Sequence, residues 1–259
     1  MMLTVSGRLE IDMTPKNATV AVIGAGDFIG SAIAERFAAE GYIVFAGRRT
    51  ADKLAPLKAR IEIHGGRCEA RALDARQEDQ ITAFLAEADA MAPLEVCIFN
   101  PGANVNFPIL DTTERVFRKV WEMACYGGFL TGREAARLML PRGQGTIIFT
   151  GATASMRGGV GYAAFSSAKF GLRAVAQSMA RELGPKNIHV AHLVIDSGVD
   201  TDFVRSRIRA SGGEAAVEAI KPDQLMNPTS IAEAYWQLHA QTRDAWTHEL
   251  DLRPYGEKW

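Results

Sequence analysis

The apolar run Thr19-Val20-Ala21-Val22-Ile23 passes directly into Gly24-Ala25-Gly26-Asp27-Phe28-Ile29-Gly30, and the apolar pattern then changes period. This junction limits the fold more than any other stretch of the chain. An unbroken run of small and β-branched residues suits a strand covered on both faces. Ile29, Ile33 and Phe37 then mark one stripe of a helix over 29–40, with Gly41 just past its end. A strand covered on both faces and followed at once by a helix belongs to a parallel sheet, because a crossover helix is what returns the chain to begin a parallel neighbour.

The alternation continues to the end of the sequence. Further strands are expected over 42–46, 68–73, 94–99, 146–150, 188–195 and 248–252. Helices are expected over 51–63, 77–90, 113–140, 162–183, 202–219 and 229–240, with Pro141 and Gly184-Pro185 as stop signals. This predicts an α/β chain with a single doubly wound parallel sheet, Rossmann-like, and helices on both faces. Residues 1–17 read as an N-terminal arm and 18–259 as one domain, since no linker, repeat or composition shift divides them.

Composition excludes several function classes. Twenty-nine basic against 30 acidic residues leave a net charge of −1, so no global field favours nucleic acid or an anionic membrane. Apolar stretches are short and broken by charge, which argues against a transmembrane helix, and residues 1–16 lack the apolar core of a secretory signal. Cys68, Cys97 and Cys125 are odd in number and widely spaced, so neither a disulfide framework nor a metal site is expected. Reduced thiols in a cytoplasmic protein are the expectation.

Between a buried strand and a helix, a glycine turn brings the backbone close to a ligand while the helix N-terminus offers free N–H groups to a pyrophosphate. Residues 24–30 meet that requirement, and from Ala18 onward the chain resembles the short-chain dehydrogenase/reductase family. The usual family turn is Gly-x-x-x-Gly-x-Gly, matched by Gly24 and Gly30, with Phe28 in place of the middle glycine and Gly26 close by. The resemblance implies cofactor contacts from Gly24, Gly26, Asp27, Phe28, Ile29 and Gly30, and from Asp74 toward the adenine. It also places Asn100 and Gly102 of Asn100-Pro101-Gly102-Ala103 beside the cofactor, and Val199 and Thr201 near the nicotinamide and phosphates. The second strand ends in Ala46-Gly47-Arg48-Arg49, with two guanidinium groups and no acid. Arg48 and Arg49 favour the extra phosphate of NADP over NAD, whereas Asp27 opposes it.

In the family a tyrosine supplies a proton to the substrate oxygen, and a lysine one turn along lowers its pKa and binds the ribose. Lys169 is present, but the tyrosine position holds Phe165. The serine position falls on Ala152, with Thr153 beside it, and the asparagine position on the long helix falls near Cys125. Substitute donors are Tyr162, three residues before Phe165, and Asp196, a carboxyl that an apolar pocket would keep protonated. His192 reads as a core histidine. Two leading readings stay open, beside a third that only Phe28 favours, a scaffold that binds no nucleotide. One is an NAD(P)-dependent oxidoreductase acting on the carbonyl or alcohol of an apolar small molecule with an atypical donor. The other is a non-catalytic NADP(H)-binding protein, a partner subunit or redox-state sensor. Apolar faces on the helices over 113–140 and 162–183 imply a homodimer or homotetramer.

Overall fold

The computed structural model describes residues 16–257, so the expected arm lies outside them except for Lys16 and Asn17, as do the last two residues of the tail. Seven strands form one sheet: β1 (Thr19–Ile23), β2 (Ile43–Arg48), β3 (Arg67–Ala72), β4 (Leu94–Phe99), β5 (Gly145–Ala152), β6 (Ile188–Ile195) and β7 (Glu249–Leu252). Every neighbouring pair is parallel, in the order β3-β2-β1-β4-β5-β6-β7. The helices are α1 (Ile29–Ala39), α2 (Ala55–Ile63), α3 (Glu78–Met91), α4 (Glu114–Trp121), α5 (Gly127–Met139), α6 (Ala163–Leu183), α7 (Asp202–Glu218) and α8 (Pro228–His239).

The apolar continuity of β1 has a simple cause. Val20 and Val22 point into one core with Ile33 and Phe37 of α1 and Ile231 and Tyr235 of α8. Ala21 and Ile23 point into the other, with Phe84 of α3, Met139 of α5 and Leu172 of α6. Each fully buried aliphatic side chain contributes about 1.5–3 kcal/mol, so a charge at either face of β1 would unseat a layer. Strand order reverses between β1 and β4, and the loops leaving their C-terminal ends diverge there. That crevice is where open parallel sheets bind ligands.

Three expected elements differ from the sequence reading. The helix expected over 113–140 is broken: a π-helical turn, Glu122–Tyr126, separates α4 from α5. Such a turn adds one residue to the repeat and rotates the apolar stripe on one side of it relative to the other. The helix expected from 162 begins at Ala163, with Tyr162 in a non-helical conformation (φ −105°, ψ 19°) as its N-cap. α7 is kinked at Gly213, where φ is 73° and ψ −174°. Among the described residues no helix is long and apolar enough to cross a membrane.

Candidate active site at the strand C-termini

A cavity of about 670 Å³ opens at the C-terminal edge of the sheet. Gly26, Asp27, Phe28, Ile29 and Gly30 form one end; Asn100 and Gly102 after β4 lie beside them. Ala152 at the end of β5 and Thr153 after it, Arg157, Tyr162, Phe165 and Lys169 near the start of α6, and Val199, Thr201 and Phe203 after β6 also line it.

The turn after β1 needs glycine at two points. Gly24 has φ +81°, and a Cβ there would stand 2.9 Å from the backbone nitrogen of Pro101. A Cβ on Gly30 would stand 2.4 Å from the Gly24 carbonyl oxygen and 2.7 Å from Ala25 Cα, both rigid backbone atoms. Ser31 closes the turn by donating from its N–H and its hydroxyl to the Gly26 carbonyl, each at 2.8 Å. α1 has no side-chain N-cap, and the N–H groups of Ile29 and Gly30 meet no acceptor among the described residues. Donors and dipole therefore face the cavity, an arrangement suited to an anion. A Cβ on Gly102 would meet nothing within 4 Å, so the backbone is approachable there. Half-buried Phe28 takes up part of that wall. These features fit a dinucleotide.

A chain of buried hydrogen bonds fixes the centre of the site. The Asn100 amide Nδ2 donates to the Gly24 carbonyl at 3.0 Å, and its Oδ1 accepts from the Thr150 hydroxyl at 3.1 Å. With the Thr150 proton used on Asn100, the Tyr235 hydroxyl is the donor in its 2.5 Å bond to Thr150 Oγ1. Lys169 Nζ donates to the Thr150 and Pro101 carbonyls at 2.8 and 3.3 Å. Burial pushes the Lys169 ammonium down to about 8, with nearby Cys125 opposing. Its nitrogen lies 6.0 Å from the centre of the Phe165 ring, which is buried with Ala154, Ala164 and Ala168. The Cys125 thiol is raised by burial, with Lys169 opposing, and its Sγ lies 2.7 Å from where a Cβ on Gly171 would stand. It packs as a neutral group. His192 is also a core residue. Burial lowers it to about 4, and Glu249 meets its Nδ1 at 3.0 Å.

The structure corrects the expectation for Asp196. Its carboxylate is fully buried outside the cavity lining, held by both Arg157 nitrogens at 3.0 and 3.1 Å and by Arg253 at 2.7 Å. Burial raises its pKa, but Thr153, Arg157 and Arg253 outweigh that and hold it below the usual carboxylate range. An ionised carboxylate with these partners has no proton to give. Thr153 stands beside Asp196 and helps to hold it ionised. Tyr162 keeps a free proton: its oxygen accepts from Arg207 at 3.0 Å, and it donates to no described residue.

At the far end, Arg48 and Asp27 are bonded to each other at 2.6 Å, so the two opposing signals for cofactor choice sit in one ion pair. Arg49 is exposed. Asp74 stands just past β3 with its carboxylate on Arg76, whose hydrogen bonds hold it below its ordinary range. Gly24, Arg48, Arg49 and Asp74 lie outside the cavity lining. Thr201 lines it and also caps α7, accepting the Val204 N–H at 3.1 Å, while Val199 bridges to Met226.

Comparison with known proteins gives a family match to the short chain dehydrogenase model over residues 18–211. The chain belongs to the short-chain dehydrogenase family. It is 30% identical over 217 residues to the 3-oxoacyl-[acyl-carrier-protein] reductase MabA of Mycobacterium tuberculosis, covering 83% of this chain and 82% of that one. A short-chain dehydrogenase from Rhodopseudomonas palustris is 64% identical, with TM-score 0.80 over 93% of this chain and 100% of the other. An alcohol dehydrogenase from the archaeon Thermococcus sibiricus, complexed with 5-hydroxy-NADP, is 25% identical with TM-score 0.79, over 93% and 98% of the two chains.

For a short-chain dehydrogenase, one residue of this cavity and one exposed neighbour of Tyr162 escaped sequence reasoning. Arg157 is the one charged residue in the stretch Met156-Arg157-Gly158-Gly159-Val160-Gly161, and a lone charge in a glycine-rich loop beside a site is a usable signal. Arg207 carried no signal, because nothing in an arginine-rich helical pattern tells which exposed guanidinium meets Tyr162.

Proposed function

We propose that this short-chain dehydrogenase is an NADP-dependent oxidoreductase acting on a carbonyl or alcohol group of an apolar small molecule, with a proton donor other than the family's tyrosine. The observation that carries the reading is one continuous cavity from the uncapped N-terminus of α1 to the buried Lys169 ammonium, walled by Ala152 and Phe165. The residues around Gly24 to Gly30 would hold the pyrophosphate, Arg48 and Arg49 the 2′-phosphate, and Asp74 the adenine end. Asn100, Gly102, Val199 and Thr201 would hold the nicotinamide half, and Lys169 its ribose. A bound nicotinamide supplies or accepts hydride; the chain must handle the proton. Tyr162 takes that role here, because Asp196 is ionised whereas the Tyr162 hydroxyl donates to no described residue. The 5-hydroxy-NADP carried by the Thermococcus relative and the 3-oxoacyl reductase activity named for the mycobacterial one support both halves of the proposal. The working unit is a cytoplasmic homodimer or homotetramer, with 18–259 as one domain.

A second reading, a non-catalytic NADP(H)-binding subunit or redox sensor, is favoured by the loss of hydroxyl at Phe165 and Ala152 and of amide at Cys125. One experiment separates them: titration with NADPH and NADH, then a carbonyl screen of wild type and Phe165→Tyr. Tight NADPH binding with turnover in wild type supports the enzyme. Binding with turnover only in Phe165→Tyr supports the sensor. Absence of nucleotide binding sinks both.

A further inference from the structure

The first turn of α7 lines the cavity through Phe203 and Val204, and the helix has no buried residue of its own. Its N-terminal end is fixed by the Thr201 cap and by Arg205, which grips Asp200 at 2.6 and 3.0 Å. Farther along, Arg209 pairs within the helix to Glu214 at 2.5 Å. Arg207, between these two, has no carboxylate partner among the described residues. Its guanidinium lies over the Phe203 ring at 5.7 Å and donates to the Tyr162 hydroxyl at 3.0 Å.

The Tyr162 side is built to receive it. Gly159 leaves room for the ring, since a Cβ there would stand 3.1 Å from Tyr162 Cδ2. The loop before Tyr162 is pinned by Phe107 N–H on the Gly161 carbonyl at 2.9 Å and by Asn106 on the Val160 carbonyl at 3.0 Å. The ring packs against the cluster that contains Phe165 and is joined by Ala152, the two positions without a hydroxyl. A guanidinium donating to the phenolic oxygen fixes where that oxygen sits and leaves the phenol's own O–H free to donate.

We propose that Arg207, carried by α7 at the edge of the cavity, is the positioning residue for a Tyr162 proton donor. The inference rests on the oxidoreductase reading above. As the substrate carbon gains hydride, the Tyr162 O–H bond breaks and the proton forms a new O–H bond on the former carbonyl oxygen. The phenolate left behind is balanced by Arg207 and regains its proton from solvent at the cavity mouth.

The test uses the full chain as wild type, Tyr162→Phe, Arg207→Met, Arg207→Lys and the double Tyr162→Phe/Arg207→Met. NADPH affinity is read by fluorescence, kcat with ethyl acetoacetate and phenanthrenequinone, and amide hydrogen exchange of α7 in the nucleotide-free chain. Expected are a fall in kcat of about 10² or more for Tyr162→Phe and about 10-fold for Arg207→Met, with NADPH affinity within about twofold of wild type. Arg207→Lys recovers most of the loss, and the double variant is no slower than Tyr162→Phe, because the two residues act as one unit. Exchange in α7 quickens in Tyr162→Phe and Arg207→Met. An unchanged kcat in Arg207→Met, multiplying losses in the double variant, or unchanged exchange in Tyr162→Phe overturns the assignment. Wild type that binds NADPH but reduces neither probe overturns the donor role while leaving the nucleotide site standing. Wild type that binds no NADPH overturns the wider reading, and this one with it.

Discussion

Lys169 carries its charge where water does not reach, held by two backbone carbonyls. Burial lowers its pKa to about 8, against about 10.4 for a free lysine. Between those values the unfolded chain holds a proton that the folded chain has released, so this group makes folding more favourable as pH rises through that window. Urea unfolding from pH 7 to 10 is expected to show wild type gaining stability relative to Lys169→Met, most of it above pH 8; a constant difference would refute the depressed value. Tyr235 anchors the other end of this hydrogen-bond network. Tyr235→Phe removes the donor to Thr150 and is expected to cost about 1–2 kcal/mol by denaturant unfolding, with Thr150 still bonded to Asn100. Lys169 was legible from its place in a motif. Tyr235 was not, because it meets Thr150 from a helix 85 residues along the chain.

The break between α4 and α5 decides how the long helical region sits. Gly127 and Gly128 follow the π turn, and both face close neighbours. A Cβ on Gly127 would stand 2.7 Å from the Ala75 carbonyl oxygen, which is backbone and cannot yield. One on Gly128 would stand 2.3 Å from Leu172 Cδ1 and 3.2 Å from the Phe99 ring, side-chain atoms that yield more readily than backbone. Gly127→Ala is therefore expected to destabilise by about 2–3 kcal/mol and Gly128→Ala by about 1 kcal/mol, after the helix preference of alanine is counted. Thermal and urea unfolding of the two variants checks the order, and equal losses would refute it. The sequence pattern carries helix over the whole of this region, since apolar spacing persists through the π turn. An extra residue in one turn changes which face packs, and that depends on the sheet and α6 beneath it.

Taken as one molecule, the chain leaves aromatic rings uncovered along α4, α5 and α6. Phe117, Trp121, Phe129 and Phe170 each remain about 40% exposed. Trp121 stacks on Tyr126, and Tyr126 on Phe129, at 6.3 Å in each case. A contiguous apolar surface of this kind suits contact between copies of the chain. Trp121→Glu is expected to shift the particle from a dimer or tetramer toward monomer in light scattering, with its circular dichroism retained. A wild type already monomeric would count against the proposed assembly.

What the sequence determined by itself was local: the alternation of strands and helices, the glycine turn before α1, Lys169, and the missing hydroxyl at Phe165. Period and turn chemistry are properties of neighbouring residues, so they can be read in one dimension. Only the tertiary structure decided the state of Asp196 and the partner of Tyr162. Asp196 alone, in a loop, reads as a carboxyl free to take up a proton. Arg157 and Arg253 reach it from two other segments at the same end of the sheet and keep it charged. Tyr162 gains Arg207 in the same way, across 45 residues. Charge state depends on which loops the parallel sheet gathers at its C-terminal edge, and that gathering is set by topology.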